Sequence, residues 1–246
     1  MSDSLVIIPT YNEKENIANI IDAVMALPKV FHILVVDDGS PDGTADIVKQ
    51  KAQEYTDKIF IEERAGKLGL GTAYIHGFRW GLHKGYEYIM EMDADFSHPP
   101  KDLMRLYSSC FHNNNDVTVG SRYVKNGSVK DWDFRRILLS FGASLYVRMI
   151  TWLPVKDSTA GFVCYRRKVL ETIDLDQIKF IGYAFQIEMK YASWKLGFSI
   201  AEVPITFVDR ELGTSKMSMN IFKEAILGVI QMRTSYKKGD YVYADN

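Results

Sequence analysis

Short apolar runs separated by polar turns organise the first part of the chain. Leu5-Val6-Ile7-Ile8 and residues 31–36 are continuous apolar stretches rich in β-branched residues, and they predict strands covered on both faces. Between them Ile17, Ile20, Ile21 and Val24 recur at helical spacing and predict a one-sided helix. A second helix is predicted over 44–55, a third strand over 58–62 and a further helix over 72–84. Tyr88-Ile89-Met90 reads as the end of another buried strand, and His98-Pro99-Pro100 beyond it cannot continue one. This β-α-β-α-β order predicts an α/β fold with a doubly wound, mostly parallel sheet flanked by helices. Ligands in such folds bind beyond the C-terminal strand ends. Those ends carry Pro9-Thr10-Tyr11-Asn12-Glu13, Asp37-Asp38-Gly39-Ser40 and Glu91-Met92-Asp93-Ala94-Asp95-Phe96-Ser97.

The second half is less regular. A helix is predicted over 100–111 and a strand over 116–120 that ends at Ser121-Arg122-Tyr123. The polar stretch 125–133 leads into a helix that carries Arg136 and Ser140 on one face. Thr159-Ala160-Gly161 reads as a loop entering a short strand, 183–196 as a helix, and 200–208 as a strand broken at Pro204. Ile221, Phe222, Ala225, Ile226, Val229 and Ile230 form the stripe of a C-terminal amphipathic helix. Such a stripe faces the protein's own core or a membrane surface, and Lys223, Arg233, Lys237 and Lys238 lend some weight to the second. A span needs about 20 mostly apolar residues. The nearest candidate, 137–155, contains Arg148, Gly142 and three hydroxyl side chains, so it reads as an amphipathic or buried helix.

Composition changes this picture only by exclusion. The 246 residues, 47% hydrophobic and 25% charged, suit one large domain over 1–246 with a sizeable core. A net charge of -1 gives no support to nucleic-acid binding. Cys110 and Cys164 have neither metal-like spacing nor a disulfide framework, which fits a reducing, cytoplasmic setting. Gly66-Lys67-Leu68-Gly69-Leu70-Gly71 matches neither the Walker nor the dinucleotide fingerprint. Its glycines serve a tight turn or a ligand contact equally well, and Lys67 is placed to reach an anion.

Asp93 and Asp95 hold the clearest chemistry. In an extended segment residues i and i+2 point the same way, and two converging carboxylates repel without a cation between them. Mg2+ or Mn2+, shared with a substrate phosphate, is the natural partner. Taken alone, an Asp-x-Asp pair is also common as plain surface polarity. Arg135 and Arg136 open a helix, where cations oppose the helix dipole, and this favours an anionic partner beside them.

Together these motifs resemble the inverting GT-A glycosyltransferases and, within them, the dolichol-phosphate (polyprenol-phosphate) mannose synthases, over about residues 5–235. Pro-x-Tyr-Asn-Glu and Asp-Asp-Gly-Ser carry the wider resemblance. Gly-Lys-Leu-Gly-Leu-Gly-Thr-Ala-Tyr at 66–74, Trp-Asp-x-x-Arg at 132–136 and Phe-Val-Asp-Arg-x-x-Gly-x-Ser-Lys at 207–216 carry the narrower one. The resemblance implies a GT-A fold and transfer of mannose from GDP-mannose to a polyprenyl (dolichyl) phosphate with inversion. It implies that Pro9, Tyr11 and Glu13 line the donor nucleotide, with Val36 and Asp38 at its base and ribose. Asp93, Ala94 and Asp95 would hold the diphosphate through the metal, with Ser97 a weaker ligand where some relatives carry Gln. Arg122 and Arg136 would receive the acceptor phosphate, assisted by Ser140, and Arg210 and Lys216 would approach the diphosphate. The expected catalytic set is Asp95, Arg122 and Arg136. With no span, the chain is expected to act peripherally on the cytoplasmic face of a membrane, through the Trp132 to Trp152 region and the 219–235 helix, alone or with a small membrane-anchoring subunit. UDP-glucose as donor, a soluble acceptor, and a non-catalytic nucleotide-sugar-binding module are the competing readings. A nicotinamide- or flavin-type oxidoreductase is disfavoured, because Gly-x-Gly-x-x-Gly does not follow the first strand.

Overall fold

The computed structural model describes residues 2–209, 219–235 and 238–242. The predicted N-terminal alternation is present as β1 (Ser4–Thr10), α1 (Ile17–Met25), β2 (His32–Asp37), α2 (Thr44–Glu54), β3 (Ile59–Glu63), α3 (Leu70–His83) and β4 (Tyr88–Glu91). A single 3-10 turn at Pro100–Asp102 precedes α4 (Leu103–Phe111), and it starts on a proline, whose missing N–H costs nothing at a first helical position. Then follow β5 (Val117–Ser121), β6 (Ser128–Lys130), α5 (Phe134–Thr151), β7 (Val163–Arg166), α6 (Arg167–Thr172), α7 (Tyr183–Lys195), β8 (Ile200–Pro204), β9 (Thr206–Val208) and α8 (Met219–Ser235). Neither β6, inside the polar stretch 125–133, nor α6 was expected from the sequence pattern.

Seven strands form one sheet in the order β3-β2-β1-β4-β7-β5-β8. All neighbours are parallel except at β7, which runs against both β4 and β5. The strand pleat divides the apolar runs between two layers. Leu5, Ile7, Leu34 and Val36 face α3 and α7, while Val6, Ile8, Ile33 and Val35 face α1, α2 and α4. Each fully buried side chain of this size contributes about 1.5–3 kcal/mol. Gly77 and Gly81 let α3 lie close on the sheet: a Cβ at Gly77 would sit 2.7 Å from Ile7. A separate parallel ribbon, β6 with β9, crosses above the C-terminal strand ends.

The 137–155 segment is two-faced rather than buried. Its helix, α5, turns Ser144, Val147 and Thr151 inward, whereas Phe134, Leu138, Leu139, Phe141, Leu145 and Met149 are exposed. Trp152, in the left-handed conformation that ends the helix, is 67% exposed and stacks under the Arg233 guanidinium at 4.3 Å. In α8 the inner positions are Val229 and Met232, and Ile226, Leu227 and Ile230 look outward. The predicted stripe is therefore split between protein and solvent at Val229, Ile226 and Ile230. Among the described residues no helix is long and apolar enough to cross a membrane.

Candidate active site

β4 ends at Glu91, and the chain then folds back on itself rather than staying extended. Met92 N–H is still held by Ile7 O at 3.1 Å, and Phe96 takes a positive φ of 61°. Both aspartates line one cleft, and the turn that follows them brings Ser97 back onto Asp95. His98 is buried, stacks on Phe162 with centroids 4.9 Å apart, and accepts the Asp93 N–H at Nδ1 over 3.1 Å. Burial pushes His98 down to about 4, against the pull of Asp95, which keeps it a neutral acceptor. Ser97 donates its amide (3.1 Å) and its hydroxyl (2.6 Å) to Asp95 Oδ1. Ser97 therefore orients Asp95 directly, and its own lone pairs are the only ligands it has left to offer.

The loops after β1 and β2 are stitched together. Asp37 accepts from Thr10 and Ser40, Ser40 Oγ accepts the Asn12 N–H, and Thr44 Oγ1 accepts the Glu13 N–H. Asp38 takes the Nε–H of Arg64 at 2.6 Å and the Leu68 N–H at 3.2 Å, so it anchors the glycine-rich loop. Lys67 rests over the Tyr11 ring at 5.1 Å. Pro9, Tyr11 and Glu13 are half-buried, and Val36 is buried beneath them.

A cleft of about 730 Å³ opens beside this wall. Asp93, Asp95, Ser97, Arg122, Arg136 and Ser140 all line it, and Pro9, Tyr11, Glu13, Val36 and Asp38 do not. Arg210 and Lys216 lie outside the described residues. Arg122 presents its Nε and Nη2 edge to Asp157 (2.7 and 2.6 Å) and to Thr159, and Asp157 is in turn held by its own N–H on the Glu202 carboxylate. The guanidinium is caged by Tyr123, Trp132 and Phe207. It is a fixed positive wall with one edge committed. Arg136 stacks on Trp132 at 4.1 Å and pairs through Nη1 with Asp209. Asp133 caps α5 by accepting the Arg136 N–H at 3.0 Å. Tyr123 donates to Ser140 Oγ at 2.7 Å, which leaves the serine its own hydrogen for another acceptor.

Beneath the cleft, Glu91 and Lys190 are fully buried. Lys190 Nζ donates to Ala160 O (2.6 Å) and Gln186 O (2.8 Å), fixing the loop that enters β7. Burial pushes Glu91 up to about 8, opposed by Lys190, and Lys190 down to about 8, opposed by Glu91. Neither residue, nor Asp157, Arg64 or His98, was singled out in the sequence. Only the improbability of burying a bare charge points to them, and burial is not visible in one chain.

Asp93 and Asp95 fit a hard divalent cation. They are two oxygen donors, one of them oriented by Ser97, and a cation shared with a diphosphate needs few protein ligands. Among the described residues no cluster of three or more metal-type side chains exists.

An acidic turn at a strand end, facing a basic wall across a cleft in a doubly wound sheet, is the architecture of a nucleotide-sugar glycosyltransferase. The chain belongs to the glycosyl transferase family 2, which it matches over residues 5–174. Within it, the chain groups with the polyprenol-phosphate mannose synthases. It is 48% identical over 229 residues to the polyprenol monophosphomannose synthase of Mycolicibacterium smegmatis, covering 93% of this chain and 86% of that one. It is 45% identical over 225 residues to the undecaprenyl-phosphate mannosyltransferase of Micrococcus luteus, covering 92% and 91%. Solved structures with the same fold include glucosyl-3-phosphoglycerate synthase from Mycobacterium tuberculosis in complex with Mn2+, UDP and its product (TM-score 0.69, 16% identity, 96% of this chain and 81% of that one). A mannosyltransferase from Pyrobaculum calidifontis in complex with GDP-Man and Mn2+ also matches (TM-score 0.58, 16% identity, 95% and 70%). The fold is the GT-A type that the resemblance implied.

Proposed function

We propose that this glycosyltransferase moves mannose from GDP-mannose to a polyprenyl phosphate, giving a β-linked mannosyl phospholipid and GDP. The observation that carries the reading is the make-up of the cleft. Its described carboxylates are Asp93, Asp95 and Asp209, the first two at the metal-type turn and the third paired with Arg136. No further carboxylate among the described lining residues stands ready as a base for an acceptor hydroxyl. A phosphate acceptor is already ionised near neutral pH and needs positioning rather than deprotonation.

In this reading Asp93 and Asp95 hold Mg2+ or Mn2+, which supplies Lewis-acid stabilisation of the departing diphosphate. Pro9, Tyr11, Glu13, Val36 and Asp38 seat the nucleotide, and Arg210 and Lys216 add positive charge at the diphosphate. Arg136 and Ser140 receive the acceptor phosphate, and Arg122 biases the cleft toward anions. A phosphate oxygen attacks the anomeric carbon as the bond to the diphosphate oxygen breaks, and the electron pair leaves with GDP. Attack from the opposite face inverts an α-linked donor.

The exposed apolar faces of α5 and α8 flank the same cleft, which is itself lined by Leu138, Leu139 and Ile226. We assign them to peripheral docking on the cytoplasmic leaflet, where the lipid tail would remain in the acyl layer. The test is transfer of labelled sugar from GDP-mannose, and separately UDP-glucose, to a short polyprenyl phosphate, with and without the cation. Lipid-extractable label from GDP-mannose supports the reading. Label from UDP-glucose alone overturns the donor, and loss of the lipid requirement overturns the acceptor.

A further inference from the structure

Arg136 is not waiting empty-handed. Its guanidinium is held flat on Trp132, and its Nη1 pairs with Asp209 at the cleft wall. Asp209 is fixed there by the fold: it follows β9 directly, and its N–H is bonded to Lys130 O at the end of β6 at 3.3 Å. A carboxylate thus occupies the edge of the arginine that a phosphate would take. We propose that Asp209 is a specificity-determining residue, a built-in competitor that reserves Arg136 for phosphate monoesters. This rests on the reading of Arg136 as the acceptor-phosphate residue and adds to it a reason for the pairing.

The argument is one of exchange. α5 carries Arg136 on a helix whose apolar side chains face outward, and a membrane surface there is crowded with phosphodiester headgroups of single negative charge. A diester replacing Asp209 exchanges one monoanion with two oxygens for another, and it loses the advantage of the tethered group. A phosphate monoester brings about -1.5 to -2 charges and three acceptor oxygens near neutral pH. The extra charge meets the nearby Arg122 wall, and the extra oxygen meets the Ser140 hydroxyl, which also lines the cleft. Discrimination then comes from making the wrong ligand gain nothing, rather than from binding the right one harder.

The experiment measures transfer to a short, water-soluble polyprenyl phosphate with dihexyl phosphate as competing diester, for the wild type, Asp209→Asn, Asp209→Ala and Arg136→Ala. Both Asp209 variants are expected to be inhibited by the diester at about tenfold lower concentration and to show an acceptor KM about threefold lower, with the donor KM unchanged. Unchanged diester inhibition in both Asp209 variants overturns the proposal. So does a raised acceptor KM in them, which would mean that Asp209 merely props Arg136. Arg136→Ala separates the two levels. If it leaves the acceptor KM unchanged, the phosphate role of Arg136 fails and this proposal with it. If it raises that KM while the Asp209 variants keep wild-type inhibition, only the competitor role fails.

Discussion

Two parts of the site, the loops after β1 and β2, which do not line the cleft, and the α5–α8 wall, which does, are built in opposite ways. In the loops after β1 and β2, polar groups are tied to one another: Thr10, Asp37 and Ser40 form one set, Asp42 and Thr44 another, and Asp38 locks to Arg64. The wall formed by α5 and α8 shows large apolar side chains to the outside, Phe134 at 76% and Leu227 at 68% exposure. Hydrogen bonds finish the first part within the chain. The second is unfinished, with apolar area that folding alone does not bury. A soluble, polar nucleotide is best met by groups already oriented, because ordering them at binding would cost affinity. A lipid brings its own apolar surroundings, and a wall left bare is completed by them.

Several substitutions would break or sharpen this contrast. The largest effect is expected at the acidic turn after β4, where Ser97 orients Asp95: Asp95→Ala should lower kcat by about a thousandfold or more in the transfer assay, with the fold intact by circular dichroism. Next is the fixed cation at Arg122. Asp157→Asn leaves the buried Arg122 guanidinium without its carboxylate, and it should cost about 3–5 kcal/mol in denaturant unfolding. The bare wall should respond in the opposite sense. Leu138→Glu with Met149→Glu should leave stability within about 0.5 kcal/mol, since both side chains are exposed. The same pair should cut flotation with anionic liposomes by about tenfold. Undiminished flotation would remove α5 from the docking surface and leave room for a membrane-anchoring subunit.

The smallest effect is a pH slope. Glu188 is buried on α7 and accepts the Lys179 and Phe180 N–H groups, yet burial outweighs them and lifts it to about 7 from an ordinary 4.5. The folded chain holds this proton more tightly than the unfolded one. Stability is therefore complete below the ordinary value and is lost as pH rises through about 7. Glu91 adds a loss of the same sign that begins at the same ordinary value and runs on to about 8. Glu188→Gln should lessen the decline in unfolding midpoint over about pH 5–7 while leaving that above it.

Much of the oriented part was legible in the sequence because its signals are local. A buried parallel strand shows as an apolar run, and the turn after it as Pro, Asp and Gly within a few residues. Asp93 and Asp95 were visible for the same reason, although the turn at Phe96, which brings Ser97 back onto Asp95, was not. The bare wall was harder to read. A stripe of apolar residues looks alike whether it faces a core or solvent, so 137–155 read as amphipathic or buried and the 132–152 region as interfacial, while which positions turn outward, Leu138 and Met149 among them, was not legible. Asp157 stands 35 positions from the arginine it holds, with no motif between them. β6 is only Ser128-Val129-Lys130, too short for alternation to register. Ser97 was expected at the metal, and the hydrogen bond that its hydroxyl gives Asp95 was not legible, because it depends on the turn.

The one reversed strand has a further consequence. Because β7 runs against β5, the chain leaves the sheet at Ser121 and returns at Val163 on the same rim. Everything between, including Arg136, Ser140 and the whole of α5, is an excursion that starts and ends at adjacent points. The strands that carry the acidic turn and the loops after β1 and β2 lie outside it, and it reaches the later chain through the β6–β9 ribbon and the Arg136–Asp209 pair. A chimaera that replaces residues 122–162 with the equivalent excursion of a relative with another acceptor is expected to keep its sugar donor and change its recipient.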